Sequence, residues 1–408
     1  MHSMKPKEIL LLGPGPSPVE PKVMEAIAWP VLGHLDPDFL AIMSETTELL
    51  RGVFETGNNV TLPLSGTGSS GMETAFVNFV EPGDKVLVGV NGVFGARMAD
   101  MASRCRAEVV EVKAPWGKPL DPGDVEKALD ANPGVKFVAF VQAETSTGVL
   151  TPVEPLVEMA HRRGALVIAD TVSSLGGVPV AVDRRGLDIV FSGSQKCLSC
   201  PPGLAPFTAN ERALEVLRGR KTKVPSWYFD LSMITQYWGK ERFYHHTAPV
   251  SMIYAIYMAL RLVKEEGLEA RFGRHRLNSD ALAAGLRACG LRLLVEDAYR
   301  LPSLTAVCVP EGVSDLDVRG RLRREHGIEI GGGLGELKGR IWRVGLMGYG
   351  SRRENVERLL AALCGILNDL GFRCSADEAL AAAARVYAGP AARGAAPSGG
   401  GRDGGCVK

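Results

Sequence analysis

The sequence lacks any strong imbalance of charge and any long apolar run. Its 408 residues carry 47 basic and 46 acidic side chains, and no basic stripe suits a nucleic-acid backbone. No apolar run reaches the roughly 18 residues that a membrane helix needs. The apolar run at residues 9–12 is also too short for the core of a signal peptide. We therefore predict a protein that binds neither nucleic acid nor a membrane.

The cysteines lack the arrangement of a disulfide framework or a zinc site. Eight scattered cysteines favour reduced thiols in a cytoplasm. Cys197 and Cys200 form one C-x-x-C, but no second close Cys or His pair accompanies them. The adjacent His245 and His246 would point to opposite faces of a strand and converge poorly on a metal, so a structural or interface role is favoured. We predict a cytoplasmic protein that holds no metal.

Internal repeats are absent too, and the pattern that is present alternates short strands with helices. Runs rich in Val, Ile, Leu and Phe predict strands at residues 60–64, 85–90, 108–112, 136–142, 165–169, 188–191 and 203–208. Apolar periodicity predicts helices at residues 21–28, 37–54, 72–80, 94–104, 124–131, 153–163 and 249–266. This order is typical of an α/β fold with a mainly parallel seven-stranded sheet between two layers of helices.

Composition divides the chain into four parts. Residues 1–20 form a Pro/Gly-rich arm that favours extended backbone. Residues 21–265 contain the predicted sheet and form a large domain. Residues 266–372 mix helices with strands predicted at 291–295, 305–309 and 340–344, as in a smaller α+β domain. Residues 373–408 are assigned to a disordered tail, because large apolar residues are scarce from about residue 388.

The first candidate for chemistry is Lys196, which ends the segment SGSQK after the predicted strand 188–191. A lysine beside a buried strand is costly unless its amine is paired or used chemically. Lysine also forms Schiff bases with carbonyl compounds, including pyridoxal phosphate (PLP). Taken alone, the segment fits an ordinary loop lysine that reaches solvent better than it fits a reactive one.

The second candidate is the glycine-rich stretch SGTGSSG, whose residues 66–71 match G-x-G-x-x-G between a strand and a helix. No strand ending in a ribose-binding acid follows at the distance that an NAD site requires. Small residues at the start of a helix can present backbone N–H groups and hydroxyls to an anion. The stretch therefore suits a single phosphate better than a dinucleotide, and a tight turn without a ligand remains an alternative.

The third candidate is Asp170, which ends the apolar run ALVIAD. A carboxylate at the end of a buried parallel strand needs a cationic partner, and a protonated pyridine nitrogen is one such partner. An N-cap for the next segment is the alternative. Asp170 and Lys196 follow successive strands, so their side chains can project from the same edge of the sheet.

The order of phosphate loop, buried acid and lysine resembles the class V, fold type I, PLP-dependent aminotransferases. Within them the chain is similar to the alanine–glyoxylate/serine–pyruvate aminotransferase family from residue 13 to about residue 370. The segments that carry the resemblance are SGTGSSGMETAF, EPGDKVLVGVNGVFGAR, ETSTGVLTP, ADTVSSLGG, SGSQKCLSCPPG, KTKVPSWYFDL, YHHTAPVSM and GGLGELKGRIWRVGLMG.

The resemblance implies a role for each matching residue. Lys196 would hold PLP as an internal aldimine and then move the proton between the substrate and the cofactor. Asp170 would pair with the pyridinium nitrogen, and Arg343 would bind the substrate carboxylate. The other cofactor contacts implied are the phosphate ligands Thr67, Gly68, Ser69 and Gln195, Val172 beneath the ring, Thr145 at the ring hydroxyl, and Tyr244 and Thr247 from the second subunit of a homodimer.

Two positions depart from the family pattern. Phe94 stands where close members often stack a tryptophan on the cofactor ring, and Ser69 stands where some carry histidine. Either could change the preferred amino donor. The implied activity is transfer of an amino group from alanine or serine to glyoxylate or pyruvate.

Several other activities are alternatives to this one. Ureidoglycine–glyoxylate and 2-aminoethylphosphonate transamination keep the fold and the cofactor, and a non-catalytic PLP-binding protein is the alternative of a different class. A desulfurase needs an exposed nucleophilic cysteine, whereas Cys308 lies between two valines. A hydrolase triad has no support, because no G-x-S-x-G elbow is present.

Overall fold

The computed structural model describes residues 7–389 of the chain. Its strands are β1 (Leu10–Leu11), β2 (Val60–Ser65), β3 (Lys85–Val90), β4 (Glu108–Lys113), β5 (Val135–Val141), β6 (Ala143–Glu144), β7 (Val149–Leu150), β8 (Leu166–Asp170), β9 (Ile189–Phe191), β10 (Leu204–Ala209), β11 (Leu304–Cys308), β12 (Ile328–Glu329), β13 (Gly331–Gly332) and β14 (Ile341–Gly345). Its helices are α1 (Pro21–Ile27), α2 (Pro37–Phe54), α3 (Gly68–Phe79), α4 (Val93–Arg104), α5 (Pro122–Ala131), α6 (Glu154–Arg162), α7 (Val182–Arg185), α8 (Glu211–Arg218), α9 (Leu231–Trp238), α10 (Val250–Glu266), α11 (Leu268–Ala288), α12 (Asp315–His326), α13 (Arg353–Asp369) and α14 (Ala376–Tyr387).

The main sheet has seven strands in the spatial order β2-β10-β9-β8-β5-β3-β4. The five strands from β9 to β4 are parallel neighbours, whereas β10 runs antiparallel between β2 and β9. The predicted mainly parallel seven-stranded sheet is confirmed, and each predicted strand agrees with the observed one to within one residue at either end.

Alternating side chains of the central strands pack into two separate cores, one on each face of the sheet. In β5, Phe137 and Ala139 contact the layer that contains α3 and α4. Val138 and Phe140 contact the opposite layer, which contains α2 and α10. This alternation follows from the two-residue period of a strand, and it buries the sheet on both sides.

Helix α3 begins four residues earlier than the apolar periodicity predicted. Gly68, Ser69 and Ser70 form its first turn, with Thr67 at the N-cap position. Glycine and serine are weak helix formers, and for this reason the sequence pattern placed these residues in a loop. The glycine-rich stretch is thus largely the start of a helix, and its backbone N–H groups point out of that end.

The N-terminal arm is extended, but it does not lie apart from the rest of the molecule. β1 pairs in parallel with β12, and Leu12 is fully buried in the core that contains Trp342 and Leu360. Helices α11, α13 and α14 pack around the same core. The division into large and small domains near residue 265 stays a prediction.

Two predictions for the C-terminal part are wrong. Helix α14 lies within the region assigned to a disordered tail, and its Ala379 and Ala383 pack against α11 and α13. Small alanines pack closely between helices, although they add little hydrophobicity to the sequence pattern. Residues 390–408 of that predicted tail lie outside the described residues. The strand predicted at 291–295 is reduced to a single bridge between Leu293 and Val307.

The prediction that all cysteines are reduced is also wrong for one pair. A disulfide joins Cys364 to Cys374, whose Cα atoms lie 5.4 Å apart because the turn after α13 folds back on that helix. The Sγ atom of Cys289 lies 2.9 Å from that of Cys364. The predicted absence of a metal stays a prediction.

Candidate active site

The candidate site lies where the parallel strands end. Asp170 is the last residue of β8, Thr67 follows β2, Phe94 follows β3, and Thr145 follows β6, the short strand after β5. Lys196 follows β9 after a short turn. In open α/β sheets, ligands bind at this carboxyl edge. These residues line one cavity of about 260 Å³, together with Gly68, Ser69, Met72, Arg97, Val141, Ala143, Val172, Ser173 and Gln195.

Lys196 is buried at the base of this cavity, with 9% of its surface exposed. Its Nζ donates a hydrogen bond to the backbone carbonyl oxygen of Pro14 in the N-terminal arm. Burial lowers the pKa of Lys196 to about 8, because the charged ammonium loses its hydration. The amine is therefore much closer to its neutral, nucleophilic form than an exposed lysine would be near pH 7.

Asp170 is the buried acid of the same cavity. One carboxylate oxygen accepts a hydrogen bond from the backbone N–H of Val172 at 2.8 Å. Burial, together with a smaller contribution from the nearby carboxylate of Glu144, raises the pKa of Asp170 to about 7. A carboxyl group in this environment is stabilised as an anion by any cation placed in the cavity.

The start of α3 forms the second end of the cavity. Thr67 makes no side-chain cap at this helix, so the first backbone N–H groups of α3 remain available to an anion. Gln195 also lines the cavity, and its Oε1 has no hydrogen-bond partner within residues 7–389. Because amide oxygen and nitrogen are interchangeable by rotation, this buried side chain can present an N–H donor instead.

Helix α4 places two side chains in the cavity wall. Phe94 lies in its first turn and lines the cavity, and the guanidinium carbon of Arg97 is 5.1 Å from the centre of the Phe94 ring. Arg97 also donates a hydrogen bond to the Ser69 hydroxyl at 3.2 Å. The sequence analysis missed Arg97, although its position three residues after Phe94 places both on one helix face.

Arg343 approaches the cavity from β14 without lining it. It is buried, its Nε donates to the carbonyl oxygen of Gly332 at 2.7 Å, and its Nη1 donates to that of Thr145 at 3.1 Å. Within the described residues Nη2 makes no hydrogen bond. Burial lowers the pKa of Arg343 to about 10, which leaves the guanidinium charged at neutral pH.

Tyr244 and Thr247 are not brought to the cavity of their own chain. Tyr244 is 56% exposed, Thr247 is exposed, and their side-chain oxygens lie 3.2 Å apart. The two neighbouring histidines are engaged locally, since His246 lies 2.8 Å from the Ser65 hydroxyl and His245 stacks on Trp227. The expectation that the two rings diverge is wrong, because residues 245–246 do not lie in a strand and the Nδ1 atoms of His245 and His246 are 2.8 Å apart.

Taken together, the cavity offers an amine that is easily deprotonated, a buried carboxylate and a set of anion-binding groups at opposite ends. The aminotransferase class-V family model matches residues 11–359. The chain belongs to this family. Its fold is the fold type I of PLP-dependent transferases, and it is an aminotransferase.

Individual class-V aminotransferases are similar over nearly their whole length. The (S)-ureidoglycine–glyoxylate transaminase of Bacillus subtilis is 40% identical over 92% of this chain and 95% of its own. The alanine–glyoxylate aminotransferase of Callithrix jacchus is 41% identical over 88% of each chain. A crystal structure of an alanine–glyoxylate aminotransferase from Nostoc sp. superposes with a TM-score of 0.88 at 48% identity, covering 90% of this chain and 97% of that one.

None of the helices between residues 7 and 389 combines the length and the apolar character needed to cross a bilayer.

Proposed function

We propose that this class-V aminotransferase uses PLP to transfer an amino group from alanine or serine to glyoxylate or pyruvate. The observation that carries the proposal is that buried Lys196 and buried Asp170 line one cavity at the carboxyl edge of the sheet. Bound PLP supplies the electron sink that makes removal of a proton from the substrate Cα possible.

The residues at the cavity ends fit the two polar ends of PLP. The uncapped start of α3, the hydroxyls of Thr67 and Ser69 and the unpaired amide of Gln195 suit a phosphate. Arg97 adds a positive charge beside Ser69. At the other end, Asp170 would hold the protonated ring nitrogen, and Val172 and Phe94 would contact the ring, with Thr145 near its hydroxyl.

Lys196 would attach the cofactor and then act as the base that moves the substrate proton. Its Nζ must be neutral for both tasks, and burial has already lowered its pKa to about 8. Arg343 would bind the substrate carboxylate through its remaining donors. These roles follow the residue types and their placement around the cavity.

A second copy of the chain would complete the phosphate site with Tyr244 and Thr247. Their exposure in the single chain supports this role, as does the exposed apolar surface beside them at Trp227 and Phe243, which are 60% and 62% exposed. The homodimer is thus part of the proposal. A cytoplasmic location stays a prediction.

Glyoxylate has more support as the amino acceptor than any single compound has as the donor. The Bacillus and Callithrix relatives share glyoxylate in their names and differ in the amino compound. Ureidoglycine–glyoxylate transamination is therefore the second candidate. The complete set of Lys196, Asp170 and Arg343 weighs against a non-catalytic PLP-binding protein.

Titration of cofactor-free protein with PLP tests the proposal. We expect a visible absorption band and, after borohydride reduction, a stable mass increase at Lys196; Lys196→Ala should bind PLP non-covalently and lack the mass increase. A matrix of alanine, serine and ureidoglycine against glyoxylate and pyruvate then identifies the substrates. Wild-type protein that takes up no PLP would refute the cofactor assignment, and ureidoglycine as the preferred donor would favour the second candidate.

A further inference from the structure

Glu144 is a fully buried carboxylate immediately behind the cavity wall. It ends β6, between the cavity residues Ala143 and Thr145, and none of its surface is exposed. Neither the family resemblance nor the candidate mechanism assigns it a role. A carboxylate in such a position is stable only if its oxygens are well hydrogen-bonded, so its partners indicate what it does.

The two oxygens of Glu144 bind two different segments of the chain. Oε1 accepts hydrogen bonds from the backbone N–H and the hydroxyl of Ser146, at 2.9 and 2.6 Å. Oε2 accepts from the backbone N–H groups of Phe94 and Gly95, at 3.1 and 3.3 Å. All four partners donate, and the positive end of a helix dipole favours an anion here. Burial nevertheless raises the pKa of Glu144.

Glu144 replaces the cap that α4 lacks in its own sequence. The residue before the helix is Gly92, which has no side chain to cap it. A Cβ atom on Gly92 would lie 2.5 Å from the carboxyl carbon of Glu144, so only glycine permits this close approach. The Ser146 hydroxyl also accepts from the N–H of Val93 at 3.0 Å. The first turn of α4 is thus bonded to residues 144–146.

Each of the joined segments places groups of the proposed site. Helix α4 carries Phe94 and Arg97, which line the cavity. The other segment carries Thr145, whose carbonyl oxygen accepts the hydrogen bond from Arg343 Nη1 at 3.1 Å. The position of the Phe94 ring relative to the Arg343 guanidinium therefore depends on the contacts of Glu144.

We propose that Glu144 is a positioning residue that holds the start of α4 against residues 144–146, and so sets Phe94 and Arg97 relative to Thr145 and Arg343. The proposal rests on the proposed function, because that function gives these four residues their roles. Glu144 itself touches neither the cofactor nor the substrate.

Glu144→Gln is the most direct test, because glutamine keeps the size of the side chain. Its amide nitrogen cannot accept a hydrogen bond. Whichever way the amide turns, this nitrogen faces either the donors of Ser146 or the N–H groups of Phe94 and Gly95, so the hydrogen bonds to one of these segments are lost. We expect a lower melting temperature, roughly tenfold weaker PLP binding to the cofactor-free protein, and a changed visible circular dichroism of the bound cofactor.

Asp188→Asn is the matched control. Asp188 is also fully buried and accepts hydrogen bonds from the N–H of Val167 at 2.8 Å and the amide of Asn210 at 2.7 Å. It precedes β9, at the sheet edge opposite Lys196. This variant should lower the melting temperature while PLP affinity and circular dichroism stay at wild-type values.

The outcomes distinguish failure of the positioning role of Glu144 from failure of the proposed PLP-dependent function. A Glu144→Gln protein that melts earlier but binds PLP with wild-type affinity and circular dichroism would overturn the positioning role. Wild-type protein that binds no PLP would instead overturn the proposed function. If Glu144→Gln does not fold, Ser146→Ala is the second test. It removes the hydroxyl that donates to Glu144 and accepts from the N–H of Val93, and it should also weaken PLP binding. Wild-type behaviour of Ser146→Ala would then overturn the positioning role.

Discussion

Lys196 donates a hydrogen bond from its Nζ to the backbone carbonyl oxygen of Pro14, a residue of the N-terminal arm. The arm thus reaches the buried amine on which the proposed chemistry depends. Between them lies Gly15, whose backbone has a φ of +107° and where a Cβ atom would be 2.6 Å from Nζ. Glycine is required at this position both by its conformation and by the lysine beside it.

Gly15→Ala should therefore displace Lys196 and slow its covalent uptake of PLP. The matched control is Gly134→Ala, because Gly134 also has a positive φ, of +81°, but has no atom within 4 Å of an added Cβ. Both variants should lose about 1 kcal/mol or more of stability from backbone strain. Only Gly15→Ala should lose PLP uptake, measured by borohydride trapping and mass spectrometry. Equal uptake in the two variants would contradict the importance of the arm contact.

The pKa of Lys196 predicts how uptake changes with pH. With a pKa of about 8 the neutral amine, which is the form that attacks a carbonyl, becomes dominant above pH 8. We expect covalent uptake to rise about tenfold between pH 7 and pH 9 and then to level off.

The same lowered pKa has a consequence for stability. The folded cofactor-free protein releases the Lys196 proton near pH 8, whereas the unfolded chain holds it to about pH 10.5. The unfolded state therefore binds more protons in this range, and the contribution of Lys196 to stability rises with pH from 8 to 10.5. Absence of this rise in wild-type protein relative to Lys196→Ala would contradict the lowered pKa.

Arg97→Gln should weaken binding of PLP more than binding of pyridoxal, which has no phosphate. The guanidinium lies beside Ser69 at the start of α3, so its charge would act on the phosphate. We expect roughly tenfold weaker PLP binding and unchanged pyridoxal binding. Arg104→Gln, on the same helix but exposed and paired with Asp100, should change neither affinity. Equal losses for the two ligands would place Arg97 elsewhere in the site.

Arg343→Lys should raise the KM for the amino donor by roughly ten- to a hundredfold, because lysine cannot keep both backbone contacts and still bind a carboxylate with two parallel bonds. Arg300→Lys is a suitable control: Arg300 is 7% exposed and pairs with Asp280 and Asp297 away from the cavity. It should lower stability and leave KM unchanged. An unchanged KM in Arg343→Lys would remove the carboxylate-binding role.

Helix α14 offers a test of the corrected C-terminal boundary. Ala383→Glu places a charge in the core where α14 packs against α11 and α13, at a position that is fully buried, and should destabilise the protein by about 3 kcal/mol. Ala381→Glu makes the same change on the exposed face and should stay within about 0.5 kcal/mol. Urea unfolding measures both. Similar midpoints for the two variants would mean that α14 is not packed.

Much of the sheet and the site could be predicted from local pattern. Short Val- and Ile-rich runs identify the strands. Because neighbouring parallel strands end at the same edge of a sheet, these runs are enough to predict that Asp170 and the turn carrying Lys196 lie at one edge. The direction of β10 could not be predicted, because hydrophobic alternation is the same in parallel and antiparallel strands.

The residues of the site that could not be predicted from the sequence were missed for a different reason. Pro14 and Glu144 act through contacts with residues far away in the sequence, and no local pattern marks such partners. Helix α14 was not predicted, because alanine favours helix formation and close packing but adds little hydrophobicity to the sequence pattern. Residues that support the site from outside the cavity are thus the ones that require a structure.

The parallel pairing of β1 with β12 also determines the order in which parts of the protein can fold during synthesis. Every strand of the main sheet precedes residue 210, so a nascent chain can assemble that sheet early. β1 leaves the ribosome first, yet its partner at Ile328 emerges much later. Pro14 follows β1 closely, so its contact with Lys196 is secured only when synthesis is nearly complete. The amine therefore acquires its final surroundings last, and nascent chains should capture cofactor less well than finished ones.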